Sequence, residues 1–447
     1  MKIAFIPIDN RPVCYTMPQI IAGIDSSLEF FIPERELLGD LKKNANIEKL
    51  FDWLKALPQM DAMVISLDTL AYGGLIPSRR CPESFEEIKN RIETLKTILE
   101  SKNAKIYAFS SIMRISNNNY NEEEKDYWSK WGKKIFDYSY QTHKLGCESC
   151  ITNIIPSEIL DDYIETRKRN FGINKIYLKW QKEGLFETLI FSKDDCAEYG
   201  FNVQEAKYLE EMGGFTKTGA DEIPLSLLSR AIQGEIKICP IFAEPDYKNL
   251  ISNYEDISIE KSVQGQIELA GCKLADEKDA DLILYINNFK EHQGEIVMKK
   301  NTESFSKTFP VFKKPYMIAD VRFANGSDNN FVKEFLKTQV EDENFYGYSA
   351  WNTSANTLGS LICGTKIKFF ASKYNKNHFK KLQITRMLDD WAYQANVRQI
   401  LDKPDESELV EKMKIYENII ENFLDTKINV NYSFPWERLF EVEIEFN

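Results

Sequence analysis

Short apolar runs alternate with longer amphipathic stretches along the first half of the chain. Runs at Lys2–Ile8, Ala62–Leu67, Lys105–Ser110, Glu187–Ser192 and Lys237–Phe242 are rich in β-branched and aromatic residues and bounded by Pro, Gly or Asp. That pattern predicts strands buried on both faces. Helical periodicity over Phe85–Ser101 and Glu122–Lys144 lies between them. Strands alternating with helices predict βαβ units and a parallel sheet.

The second half repeats the pattern more faintly. Asp281–Ile286 and Pro315–Ala319 read as buried strands, and Lys366–Phe370 as an eighth. Eight strands predict an α/β fold with a TIM-barrel-like parallel core; the alternative is a two-domain doubly wound α/β protein. The interval from 110 to 187 is too long for one crossover, so a helical insertion is expected near 117–180, which is rich in Asn, Lys, Glu, Tyr and Trp. Lys373–Asn396 and Glu406–Leu424 predict C-terminal helices. The expected regions are 1–240 (α/β, carrying the acidic site), 241–372 (a second α/β region) and 373–447 (helical). The first break falls near 235–245, and no repeat or low-complexity linker marks it.

Charge narrows the partners. The formal balance is −12, which disfavours phosphate backbones and hence nucleic acid. No apolar run reaches the ~18 residues of a membrane span. Met1–Asp9 reads as a first strand rather than a signal peptide, which predicts a cytoplasmic protein. Eight cysteines are scattered along the chain. Only Cys147 and Cys150 form a CxxC, with His143 the one histidine near, so reduced thiols are expected rather than a zinc site.

In a parallel sheet, the residues just beyond the strand ends line the site. Here these are Asp9, Asn10 and Arg11; Asp68 and Tyr72; Arg114; Asp194, Asp195 and Tyr199; and Asp320, Arg322 and Asn325. Any one carboxylate could be a helix cap. The recurrence of Arg and Tyr beside them goes beyond capping. Adjacent Asp194 and Asp195 repel one another, which raises one pKa and suits a general acid beside an ionised partner. Asp221 reads as an N-cap, and Glu222 after it as a further carboxylate within reach. Trp351 and Asn352 offer a ring and an amide suited to a sugar. In Arg386–Arg398, spacing pairs Asp390 with Gln394 and Gln394 with Arg398, a pattern read as a packing face.

Missing signatures also matter. No GxxxxGK[ST], no strand-borne GxGxxG, no GxSxG and no HExxH occurs. Three histidines leave little room for histidine-based catalysis, and no cofactor is expected. Carboxylate acid–base chemistry remains.

The segments IPIDNRPV, SLDTLAYGGLIPSR, SKDDCAEYG, GADEIPLSLLSRA, ADVRFANGSDNN, YSAWNTSANTLG and RMLDDWAYQANVR resemble a bacterial family of unknown function, number 4127. The matching segments span about residues 3 to 398, and the resemblance carries no catalytic assignment. The Asp194–Asp195 couple also looks like the paired acids of hexosaminidases that use the substrate's acetamido group. That likeness implies Asp194 as polariser and Asp195 as acid. The expectation is a glycoside hydrolase acting on an amino sugar or related glycan. Alternatives are an Mg²⁺- or Mn²⁺-dependent hydrolase or lyase with Asp9, Asp68 and Asp320 as ligands, and a non-enzymatic glycan- or peptide-binding protein.

Overall fold

Beginning with β1 (Lys2–Ile6), the apolar runs assemble side by side into parallel sheets. The computed structural model describes residues 1–149, 154–194, 197–338, 340 and 343–447, which fall into two units. The first comprises Met1–Tyr15, Glu29–Leu227 and Tyr254–Asp256; the second comprises Thr16–Leu28, Leu228–Asn253 and Ile257–Asn447. The expected regions 241–372 and 373–447 thus fall largely in one unit.

The sheet of the first unit contains β1, β2 (Glu29–Phe31), β3 (Ala62–Ser66), β4 (Lys105–Ile112), β5 (Thr188–Lys193) and β6 (Thr216–Thr218). All neighbours pair in parallel, in the order β2-β1-β3-β4-β5-β6. Every residue of β3 is buried, as a sheet covered on both faces requires. Ala4, Ile6, Met63 and Ile65 belong to one core with Ile88, Ile92 and Leu95 of the helix Phe85–Glu100. That helix begins in a reciprocal capping box between Ser84 and Glu87. The expected insertion contains the helices Trp128–Leu145 and Ser157–Lys182.

In the second unit β7 (Lys237–Phe242), β8 (Lys273–Leu274), β9 (Leu282–Asn287), β11 (Tyr316–Asp320) and β13 (Phe345–Ser349) form a parallel sheet in the order β13-β11-β9-β7-β8. Its core gathers Ile238, Leu282, Leu284, Met317 and Ala319 against Val263, Leu358 and Ile362. Two small sheets complete the unit: β10 (Gly294–Glu295) with β12 (Phe323–Ala324), and β14 (Val430–Ser433) with β15 (Glu443–Phe446).

The fold is therefore parallel α/β in its two-sheet form, and the expected barrel does not close. In each sheet the chain first steps outward from its opening strand (β1 to β2, β7 to β8), then crosses back to its other side (β3, β9). This creates a switch point between β1 and β3 and another between β7 and β9, where side chains at the carboxyl ends can face a crevice.

Two local expectations are corrected. Lys366–Phe370 is the end of the helix Ser354–Phe370 and not a strand. That helix is buried almost all round, so its helical period is muted. Its lysines reach separate carbonyls, Lys366 those of Ala270 and Gly271, and Lys368 that of Phe345. The stretch Lys373–Asn396 is an α-helix only over Lys376–Arg386 and widens to a π-helix over Met387–Gln394. The wider turn brings Asp389, not Asp390, to Gln394, with Nε2 donating to Oδ1 over 3.2 Å. The expected Arg398–Gln394 bond forms at 2.7 Å. Among the described residues no helix is long and apolar enough to cross a membrane.

Candidate active site

The chain leaves β1 through Asp9-Asn10-Arg11, and this turn is stitched to itself. Asp9 accepts the backbone N–H of Arg11 at 3.0 Å and its Nε–H at 2.8 Å. The other end of the Arg11 guanidinium reaches Asp221, beyond β6, with Nη2 and Nη1 donating over 2.5 and 3.2 Å. Both acids and the arginine are buried. Arg11 thus bridges two carboxylates in a bidentate fork that only arginine supplies. The Asp221 carboxyl is raised above its ordinary range. Burial is the main cause, Arg11 works against it, and the negative charges of Asp9 and Asp194 add to the rise.

Asp194 follows β5 and is the most open of these strand-end carboxylates, with 27% of its side chain exposed. Arg114, beyond β4, lies 3.3 Å from it and also bonds Glu123 at 2.8 Å and Glu124 at 3.2 Å. Glu124 in turn takes Nη1 of the buried Arg79 at 2.6 Å. Opposite charges therefore alternate in two runs, Asp9–Arg11–Asp221 and Asp194–Arg114–Glu124–Arg79, and the like charges of Asp221 and Asp194 meet where the runs adjoin. The residues lie beyond β1, β6, β5, β4 and β3, with Arg79 in the helix Leu75–Arg80, so the carboxyl ends of one sheet gather them.

Asp68 occupies the first turn of the helix Leu67–Tyr72, which Ser66 caps. It is fully buried, accepts the Ser111 N–H at 2.8 Å, and has its pKa pushed up to about 7. Burial dominates that shift, and Ser111 and Arg79 oppose it. Next to Asp68, Thr69 donates to the carbonyls of Pro7 and Ile8, tying the β1 and β3 ends together. Gly219 has φ +109°, and a Cβ there would fall 1.8 Å from Glu222 Oε1. The buried Glu222 carboxylate is packed onto that turn, which accepts only glycine.

A family model for proteins of unknown function, DUF4127, matches residues 3–445. The chain belongs to the DUF4127 family. No curated protein matches it. Among solved structures, the crystal structure of a "ugt transferase" from Siraitia grosvenorii in complex with UDP overlaps 94% of this chain and 99% of that one. It shares 10% identity at a TM-score of 0.21 and carries no argument at that score.

In this DUF4127 chain the other expected site residues serve different ends. Asp195 lies outside the described residues, as do Cys150 and Cys196. Asn10 uses its backbone: its N–H bonds the Gly39 carbonyl and its own carbonyl accepts from Arg35. Tyr72 is buried under Arg169, whose guanidinium lies 5.4 Å from its ring. Tyr199 is half-buried and packs edge-on against Tyr140 and His143 of the helix Trp128–Leu145. The His143 Nδ1 is taken by the Gly200 N–H.

Asp320, Asn325, Trp351 and Asn352 belong to the second unit. Trp351 is only 2% exposed, which leaves no ring face for a sugar and overturns its expected role as a platform. Asn325 and Asn352 have φ +61° and +58°, and the Asn325 N–H bonds the Asn352 carbonyl at 2.8 Å. They shape a turn. Asp320 is satisfied within its unit by the Asn287 amide, the Asp328 N–H and the Tyr348 hydroxyl. Asp9 is likewise held by Arg11. Among the described residues no group of three or more His, Cys, Asp or Glu is placed to hold a metal ion together, so the Asp9–Asp68–Asp320 ligand set does not fit. Sequence reasoning took Asp221 for an N-cap and did not single out Glu123, Glu124 or Arg79.

Proposed function

We propose that this DUF4127 protein is a glycoside hydrolase acting on an amino sugar or a related hydroxyl-rich glycan, with the carboxylates of its first unit as acid and base. The observation that carries the reading is the pairing of an open carboxylate, Asp194, with a buried neighbour, Asp221, whose pKa is raised partly by that neighbour. A buried acid with a raised pKa keeps a proton to donate, and an open carboxylate near it is reachable by water and substrate.

In this reading Asp221 gives its proton to the leaving oxygen as the glycosidic C–O bond breaks. Water adds to the sugar carbon and loses its proton to Asp194. Arg11 and Arg114 hold the two carboxylates in place. The route through the substrate's own acetamido group would use Asp194 with Asp195 instead.

A panel of 4-nitrophenyl glycosides, including 2-amino and 2-acetamido sugars, tests the proposal. Wild-type protein should cleave at least one. Asp194→Ala and Asp221→Asn should each lower kcat/KM by about 10²–10⁴-fold. The idea fails if wild type cleaves none, or if both variants keep full activity.

A further inference from the structure

Two conspicuous motifs, YSAWN at 348–352 and RMLDDW at 386–391, take no part in the candidate site, yet they meet around one small space in the second unit. Beside β13 lies a cavity of about 10 Å³, bounded by Gly347, Ser349, Ser360, Leu361, Gln383 and Arg386 among others. Gln383 and Arg386 are both 3% exposed. The Gln383 Nε2 and the Arg386 Nε have no hydrogen-bond partner in the protein, whereas the Arg386 Nη1 lies 3.3 Å from the buried Asp390 Oδ1 as an ion pair. The rest of these side chains is firmly anchored. Gln383 Oε1 accepts the Tyr348 N–H at 3.0 Å, and Arg386 Nη2 donates to Asp389 at 3.3 Å. Neither side chain can swing away to solvent without giving up those bonds.

We propose that this cavity is a binding site for a single resident water molecule. The volume matches one water and nothing larger. The chemistry matches as well: two of the lining side chains carry buried donors that lack an acceptor. Water accepts from Gln383 Nε2 and Arg386, and its own two hydrogens go to oxygens of the lining, where Ser349 and Ser360 stand. An ammonium ion could not accept those bonds, and a halide could not donate to the lining oxygens. The water fastens the start of the π-helix Met387–Gln394 to the end of β13. That gives both motifs a structural purpose apart from the crevice of the first unit.

Two measurements on the full-length protein decide it. A crystal structure at 2 Å or better should show a solvent peak within about 3.2 Å of both Gln383 Nε2 and the Arg386 guanidinium. No peak, with both side chains in the present orientation, would overturn the site. Leu361→Met, which pushes a longer side chain into the space, supplies a reading by sign. Expelling a bonded water strands the two donors, so Tm should fall by about 1–3 °C. Filling a dry void would instead raise Tm and sink the proposal.

Discussion

The two sheets share the order of their first five strands, but their switch-point crevices are put to opposite uses. In the first unit the charged side chains bridge from loop to loop and leave Asp194 facing solvent, beside a buried acid with a raised pKa. In the second unit one arginine closes the corresponding position. Arg322 is wholly buried, with Nε on the Asn287 amide oxygen at 3.0 Å, Nη1 on the Glu303 carbonyl at 2.9 Å and Nη2 on Glu244 at 3.1 Å. Burial works against the Glu244 charge, but Lys307 and Arg322 win, and its pKa is lowered. A strand-end position is thus only an opportunity. Whether it becomes a site depends on whether the polar groups there are consumed by their own fold.

The largest expected effect breaks the closed side of this comparison. Arg322→Met leaves Glu244 with Lys307 alone and strips Asn287 and Asp328, whose Oδ2 lies 3.6 Å from Nε, of their buried cation, and should cost about 3–5 kcal/mol in urea unfolding. Asp194→Ala, which removes a partly exposed ion pair, should cost under about 1 kcal/mol. Equal stability losses for the two variants would mean that the crevices are not different in kind.

Most of the longer strands were legible in the sequence, because a continuous apolar run bounded by turn residues leaves few alternatives: β1, β3, β4, β5, β7, β9 and β11 all follow such runs. β2, β6 and β8 are two or three residues long, too short for any period. β13 reads FYGYS, and its glycine (φ +139°) masks it. Barrel and double sheet share one local pattern, since strand order depends on pairings that no single segment encodes. In the site, Asp9, Arg11, Arg114 and Asp194 follow from the strand-end rule. Asp221 does not, because its meeting with Arg11 joins residues 210 positions apart. Glu123 and Glu124 sit in a run, NEEEK, that looks solvated until Arg79 and Arg114 fold onto it.

A middle-sized effect concerns Asp68, the acid beneath the open crevice. Its carboxyl holds a proton up to about pH 7 in the native state, whereas the unfolded chain releases it near the ordinary aspartate value of ~3.9. Between those values the native state binds more protons, so stability falls as pH rises. Asp68→Asn abolishes that contribution and can still accept the Ser111 N–H. The variant should be more stable than wild type at pH 8 by about 1–3 kcal/mol, and the gain should vanish near pH 4. A pH-independent difference would show that Asp68 is already ionised in the folded protein.

The smallest effect asks whether the second unit contributes to recognition at all. Asn352 was expected to bond a sugar hydroxyl, but its φ of +58° offers a second reason for its presence. Asparagine enters the left-handed region more readily than other residues with a Cβ, and glycine enters it freely. If backbone shape is the whole role, Asn352→Gly should leave stability within about 0.5 kcal/mol and kcat/KM unchanged, while Asn352→Ala should cost about 1 kcal/mol through strain at the same φ. If the amide binds substrate, the order changes: the glycine and alanine variants should both lose kcat/KM, by a similar factor and whatever their stability. Measuring both variants by thermal melting and against the best aryl glycoside separates the two roles. Retained activity in the glycine variant would keep recognition with Arg11, Arg114 and Asp194 in the first unit.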